Sequence, residues 1–227
     1  MTEFDNGDIS STSQQRVTVL QQGNYLRSQM TTLRAFETTT AAFCNAFEHI
    51  ATQLITAALD LAPTEDVDVL TPTGRTFHGV RQVKPVCGVS ILRAGASFEH
   101  VLRKAYDGPL SFGKVLIQRD EKTSLPTYLY SNLPKNIGSS TILILEPMLA
   151  TGGSVSKAIE ILKEAGVSEE NMIFVNLLAA KKGVDTVLMR FPSLRLVTAA
   201  VDDELTASNH IAPGLGDFGD RFYGTTD

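Results

Sequence analysis

Thr141-Ile142-Leu143-Ile144-Leu145-Glu146-Pro147-Met148-Leu149-Ala150-Thr151-Gly152-Gly153-Ser154, continued by Val155 to Ala165, decides how the rest of the chain is read. Thr141 to Leu145 is a short apolar run rich in β-branched residues, the pattern of a buried strand in a parallel sheet. Pro147 lacks a backbone donor and cannot sit inside a paired ladder, so a turn is expected at Glu146-Pro147. Val155, Ala158, Ile159, Leu162 and Ala165 then recur at helical spacing, with Lys157, Glu160, Lys163 and Glu164 on the outer face. The unit is a strand, an acidic turn, a loop of small residues and a helix.

Such a loop suits a phosphate. Gly152 and Gly153 can take positive φ and carry no Cβ to block a close approach. Thr151 and Ser154 add hydroxyls, and the helix N-terminus adds unpaired N–H groups and a partial positive charge. Glycine-rich turns also occur simply as helix caps. The carboxylate of Glu146 favours the phosphate reading, because it can accept hydrogen bonds from sugar hydroxyls beside the phosphate. An acid followed by a phosphate cradle describes a ribose 5-phosphate site.

Glu146 to Ser154 resembles the phosphoribosyl pyrophosphate signature of the type I phosphoribosyltransferases. It is most similar to the Asp-Pro-Met-Leu-Ala-Thr-Gly-Gly-Ser form of the uracil phosphoribosyltransferase family, departing from it only in Glu146 for Asp. The resemblance implies that all nine positions, Glu146, Pro147, Met148, Leu149, Ala150, Thr151, Gly152, Gly153 and Ser154, contact the sugar donor.

Composition agrees with such an enzyme. The 227 residues are 43% hydrophobic with a formal net charge of −5, enough for one α/β domain over residues 1–227 and without general attraction to nucleic acid or anionic membranes. No apolar run approaches the roughly 18 residues of a membrane span. Met1 to Ser13 contains Glu3, Asp5 and Asp8 and does not read as a signal peptide. Residues 1–15 are expected to form a mobile tail. Cys44 and Cys87 have no metal-ligand spacing and read as reduced structural thiols, so a cytoplasmic protein is expected.

In chain order, Gln22 to Arg34 has weak helical spacing. A firmer helix lies between Thr40 and Leu61, stopped by Pro63. Val67 to Leu70 and Phe77 to Val80 form two short strands around Pro72-Thr73-Gly74. Val86 to Leu92 is a buried strand leading through Arg93 into a helix that ends near Tyr106. Lys114 to Gln118 is a strand. Leu125 to Leu133, with Pro126 inside it and Pro134 just beyond, reads as an excursion from the sheet edge, a candidate lid or dimer arm. Met172 to Ala180 is a strand, Val184 to Arg190 a helix, and Leu194 to Val201 a final strand. The alternation predicts a doubly wound, mostly parallel sheet with helices on both faces, an N-terminal helical extension and a C-terminal base-binding loop. Gly108 to Lys114 mimics a Walker A motif, but Val115 replaces the Ser or Thr and a strand follows; no ATP site is expected.

Ligands of open α/β sheets bind at the carboxyl ends of the strands. Arg93, Arg119, Glu146, Ala180-Lys181 and Asp202 each follow a strand. A single charge there is often only solvated. Two arginines beside a phosphate loop suit pyrophosphate, and Arg93 and Arg119 stand where the resembled family places its pyrophosphate-binding arginines. Ile211 to Thr225 interleaves Ile, Leu, Phe and Tyr with glycines, which argues against a frayed tail. It is similar to the family's uracil-binding loop Pro-Gly-Leu-Gly-Asp-Ala-Gly-Asp, with Phe218 in the Ala position. The resemblance implies Ile211, Gly216, Asp217 and Phe218 at the base, with Asp217 also near the donor. Thr206 stands where relatives carry Asn, leaving the loop before His210 open.

The resemblance therefore implies transfer of ribose 5-phosphate from phosphoribosyl pyrophosphate to uracil N1, giving UMP and pyrophosphate, with Arg93, Arg119, Glu146 and Asp217 carrying the chemistry. It implies Mg²⁺ on substrate oxygens without an assigned protein ligand, and a homodimer or homotetramer; activation by GTP or another nucleotide is left open. The alternative is a nucleotide-binding regulator of RNA on the same fold, which the negative charge disfavours.

Overall fold

The computed structural model describes residues 16–119 and 126–225. It opens with β1 (Val17–Val19), α1 (Asn24–Arg34) and α2 (Thr40–Leu59), then a hairpin of β2 (Thr64–Leu70) and β3 (Thr76–Gln82). β4 (Val86–Leu92) passes through a 3₁₀ turn, Ala94–Phe98, into α3 (Glu99–Ala105), followed by β5 (Leu110–Arg119) and β6 (Pro126–Asn132). β7 (Thr141–Leu145), β8 (Met148–Leu149) and α4 (Gly153–Glu164) form the unit read first from the sequence. The remainder is β9 (Met172–Ala180), α5 (Lys181–Arg190), β10 (Arg195–Asp202), the small pair β11 (Glu204–Leu205) and β12 (Ile211–Ala212), and α6 (Phe218–Tyr223).

The main sheet runs β1-β10-β9-β7-β4-β5-β6, with β8 paired beside β9. All its pairings are parallel except β5 with β6. The reason is visible in β7. Alternate residues of a strand point to opposite faces, and here Leu143 and Leu145 enter the core under α1, α2 and α3, while Ile142 and Ile144 enter the core under α4 and α5. A strand covered on both faces must be apolar at every position, and every residue of β7 and β9 is buried.

The order also creates the site. From β4 the chain passes to β5 on one side, and from β7 to β9 on the other. The connections leaving β4 and β7 therefore diverge to opposite faces, opening a crevice at their carboxyl ends. Arg93 and Glu146 flank it.

Several elements differ from expectation. The stretch expected to leave the sheet is instead its edge: β6 pairs antiparallel with β5 from Pro126 to Asn132, while Leu125 lies outside the described residues, as does the expected mobile tail. The hairpin strands are longer than their apolar cores because β2–β3 pairing needs only backbone groups. β1 adds a strand beside β10. The chain does not end on β10; Thr206 lies in the β11–β12 turn, where its hydroxyl accepts from His210 N at 3.1 Å. Lys114, the lysine of the Walker-like stretch, sits in β5 and is ion-paired with Glu99. Cys44 and Cys87 are free thiols. Among the described residues, no helix is long and apolar enough to cross a membrane.

Candidate active site

β7 ends at Leu145 because Pro147 cannot continue the ladder, yet the chain does not simply leave. The Pro147 carbonyl accepts from Leu177 N at 3.0 Å and Leu178 N at 2.9 Å. Met148 and Leu149 then resume as a strand beside Leu178 and Ala179, where the sequence suggested loop. Asn176 secures this step: its Nδ2 donates to the carbonyls of Glu146 (3.2 Å) and Pro147 (3.0 Å), and Thr198 Oγ1 donates to its Oδ1 at 2.9 Å. Both side chains are fully buried, so the acidic turn is held from below by a satisfied polar network. Asn176 was not singled out in the sequence, although one amide inside a nine-residue apolar strand is a visible signal. Leu149 is itself a core residue, 2% exposed; only its backbone is placed to meet a ligand.

At Gly152 the backbone adopts φ 85° and ψ −2°, and no side chain caps the N-terminus of α4. The leading N–H groups of the helix are therefore available to an anion. The positive φ was expected. The role of the missing Cβ was not: a Cβ at Gly152 would meet Val187 Cγ2 at 2.8 Å and the Gly183 carbonyl at 3.4 Å. It would aim at α5, away from the cradle, so glycine here serves helix packing together with backbone conformation.

The C-terminal loop is anchored at two places by half-buried arginines. Arg34 grips Asp202 with both Nη atoms (2.8 and 2.7 Å) and also donates to the Gly214 carbonyl at 2.9 Å. Asp202 in turn accepts from Gly214 N at 2.9 Å. Asp202, read from the sequence as one of the charges that follow a strand, is 8% exposed and committed to the loop. Arg221 donates to the carbonyls of Leu33, Leu215 and Ala35 at 2.5, 2.6 and 2.6 Å, and burial pushes its guanidinium pKa down.

Between these anchors the loop makes its turns with cis Ala212–Pro213 and with positive φ at Gly214 and Gly216. Asp217 caps α6, accepting from Asp220 N at 2.9 Å. The Phe218 ring is 2% exposed and packs edge-on against Phe43 and Phe47 and stacked against Phe222. Its side chain is core, while Gly216 and Asp217 just before it are exposed.

Arg93 follows β4 through a cis Leu92–Arg93 peptide. Its Nη2 lies 2.8 Å from Asp220 Oδ1. Tyr223 lies beside it; burial pushes the phenol pKa up, the Arg93 charge opposes this, and the charges of Glu99 and Glu146 add to the rise. Arg119 ends β5 at the same sheet edge, its side chain lying outside the described residues. Lys181 opens α5. A cavity of about 650 Å³ lies on that helix, lined by residues including Lys181, Asp185, Met189 and Asp203 and by none from the phosphate or base loops.

An uncapped helix N-terminus behind an acidic turn, at the switch point of a mostly parallel sheet, is an anion site beside a carboxylate, the arrangement expected of a type I phosphoribosyltransferase. The model of the uracil phosphoribosyltransferase family matches residues 19–225, and the chain belongs to that family. It is 43% identical to uracil phosphoribosyltransferase 2 of Schizosaccharomyces pombe (strain 972 / ATCC 24843), over 93% of this chain and 96% of the relative. It is 42% identical to uracil phosphoribosyltransferase of Dictyostelium discoideum, over 94% and 98%. The solved structure of the AQ2163 protein from Aquifex aeolicus superposes with a TM-score of 0.81 at 26% identity, covering 92% of this chain and 99% of that one.

Proposed function

We propose that this chain transfers the ribose 5-phosphate of phosphoribosyl pyrophosphate to N1 of uracil, yielding UMP and pyrophosphate. The observation that supports the reading is the joining of the Arg93 flank to the helix that follows the C-terminal loop: the Tyr223 hydroxyl donates to the Arg93 carbonyl and the Tyr223 ring lies against the Arg93 guanidinium, at the sheet end where the acidic turn and its uncapped helix also lie. Turn, flank and loop each supply a different part of one substrate pair. The N–H groups at Gly153 and Ser154, with the Thr151 and Ser154 hydroxyls, take the 5-phosphate. Glu146 accepts from the ribose hydroxyls and favours the cationic sugar as the C1–O bond loosens. Arg93 and Arg119 bind the departing pyrophosphate. Backbone groups from Ile211 and from Gly216 to Phe218 pair with the uracil edge and leave cytosine's amine unmatched.

No protein nucleophile is needed; positioning and charge stabilisation suffice. Mg²⁺ belongs in this reading to the sugar donor, held on its pyrophosphate and ribose oxygens and by water, where it neutralises charge on the leaving group.

A rate assay over uracil, cytosine, orotate, hypoxanthine and guanine tests the function; turnover of another base in preference to uracil overturns it. For Glu146, the Asp variant is expected to keep activity within roughly tenfold, a barrier change of about 1.4 kcal/mol. Glu146→Gln should lose more, because it keeps the shape and removes the charge. Equal turnover and donor affinity in the Gln variant would remove the ribose role.

We also propose a homo-oligomer, a dimer or tetramer. Val69, Leu70, Phe77 and Val80 of the β2–β3 hairpin are exposed, and an apolar group of this kind favours a protein partner over water. Sedimentation equilibrium giving the mass of one chain would count against it.

A further inference from the structure

The contacts of Arg93 with α6 lie outside the roles assigned so far. Asp220 holds its Nη2 at 2.8 Å. Thr225 Oγ1 donates to the same Asp220 oxygen at 2.7 Å and lies 3.4 Å from Arg93 Nη1. The Tyr223 ring sits under the guanidinium, 5.2 Å from its carbon, and the Tyr223 hydroxyl donates to the Arg93 carbonyl at 3.1 Å. Side chain and backbone of one arginine are therefore clasped by one short helix.

A long, half-exposed arginine has many rotamers, and fixing it on ligand binding is unfavourable. The clasp removes that freedom beforehand while using only part of the guanidinium's donor set; its remaining N–H groups stay open to phosphate oxygens. It also partly neutralises Arg93, so what it contributes is geometry rather than added attraction.

We infer that Asp220 and Tyr223 are positioning residues for the transfer, holding Arg93 in the pose in which it receives pyrophosphate. This rests on the reading of Arg93 as a pyrophosphate-binding residue. Because α6 begins at Phe218, where the base loop ends, with Asp217 as its cap, the clasp also ties the pyrophosphate arginine to the base loop.

The alternative is that Asp220 competes with pyrophosphate for Arg93, and the two predict opposite signs. Positioning predicts that Asp220→Asn raises the donor KM about tenfold and lowers kcat severalfold, with the uracil KM within about twofold, since Asp202 and Arg221 still anchor the base loop. Asp220→Glu should recover part of the loss, and Tyr223→Phe, which removes only the hydroxyl, should raise the donor KM about threefold. On an Arg93→Ala background neither change should add to the loss. A lowered donor KM in Asp220→Asn, unchanged kinetics in both variants, or a rise confined to the uracil KM each overturns the proposal. If instead Arg93→Ala itself leaves the donor KM at the wild-type value, the failure lies in the reading of Arg93 and takes this inference with it.

Discussion

Asp202→Ala is expected to lower the stability of the fold by about 3 kcal/mol and to raise the uracil KM more than the donor KM. The carboxylate is almost fully buried, paired through both oxygens with Arg34 and hydrogen-bonded to Gly214 N. Removing one partner of such a pair typically costs about 3–5 kcal/mol because the other charge is left uncompensated. The lower end applies here, as Arg34 keeps 26% of its side-chain surface in water. Truncation also orphans Gly214 N, whose bond fixes the turn before Leu215 and Gly216. The base loop should then sample other conformations and present its pairing groups to uracil less often. Urea unfolding with an unchanged m-value measures the first effect; initial rates at varied uracil and varied donor measure the second. Asp202→Asn, which keeps an acceptor, should fall between the two. A destabilised variant with a wild-type uracil KM would show that the Arg34–Asp202 pair supports the sheet end without organising the base loop.

How much of this was legible depended on how local the cause is. β4 and β9 run over the residues read from the sequence, Val86–Leu92 and Met172–Ala180, because burial on both faces leaves an unbroken apolar run. The phosphate loop was legible for the same reason: strand, acid, glycines and helix are adjacent in the chain. The start of α5 was missed, since Lys181-Lys182-Gly183 looks like loop. Gly183 is there because a Cβ would come within 2.5 Å of the Ala150 carbonyl, a contact between distant segments. The anchors of the base loop are of that kind as well. Arg34 and Asp202 are 168 positions apart and Arg221 and Leu33 are 188 apart, so no periodicity announces them. Within the C-terminal loop the glycines drew the reading toward backbone recognition, and the part the Phe218 ring plays in the aromatic core with Phe43 and Phe47 was not legible, because those partners lie far away in the chain.

Gly152→Val is expected to impair the sugar-donor site and the fold together. Valine at φ 85° is strained whatever the space around it, a cost of roughly 1–3 kcal/mol. Its Cβ would also lie 2.8 Å from Val187 Cγ2, and overpacking of this kind costs about 1–3 kcal/mol more. To relieve both, the loop must rotate and α5 must move away, which turns the leading N–H groups of α4 out of the 5-phosphate's reach. A donor KM raised more than tenfold should therefore accompany a lowered unfolding midpoint. The two effects can be separated. Val187→Ala added to Gly152→Val removes the contact but leaves the backbone strain, so part of the stability should return while the donor KM stays high. Gly152→Asn, which tolerates a left-handed backbone, should keep more of the donor affinity than the valine. A folded Gly152→Val enzyme with wild-type donor kinetics would mean that the 5-phosphate is not held by the N-terminus of α4.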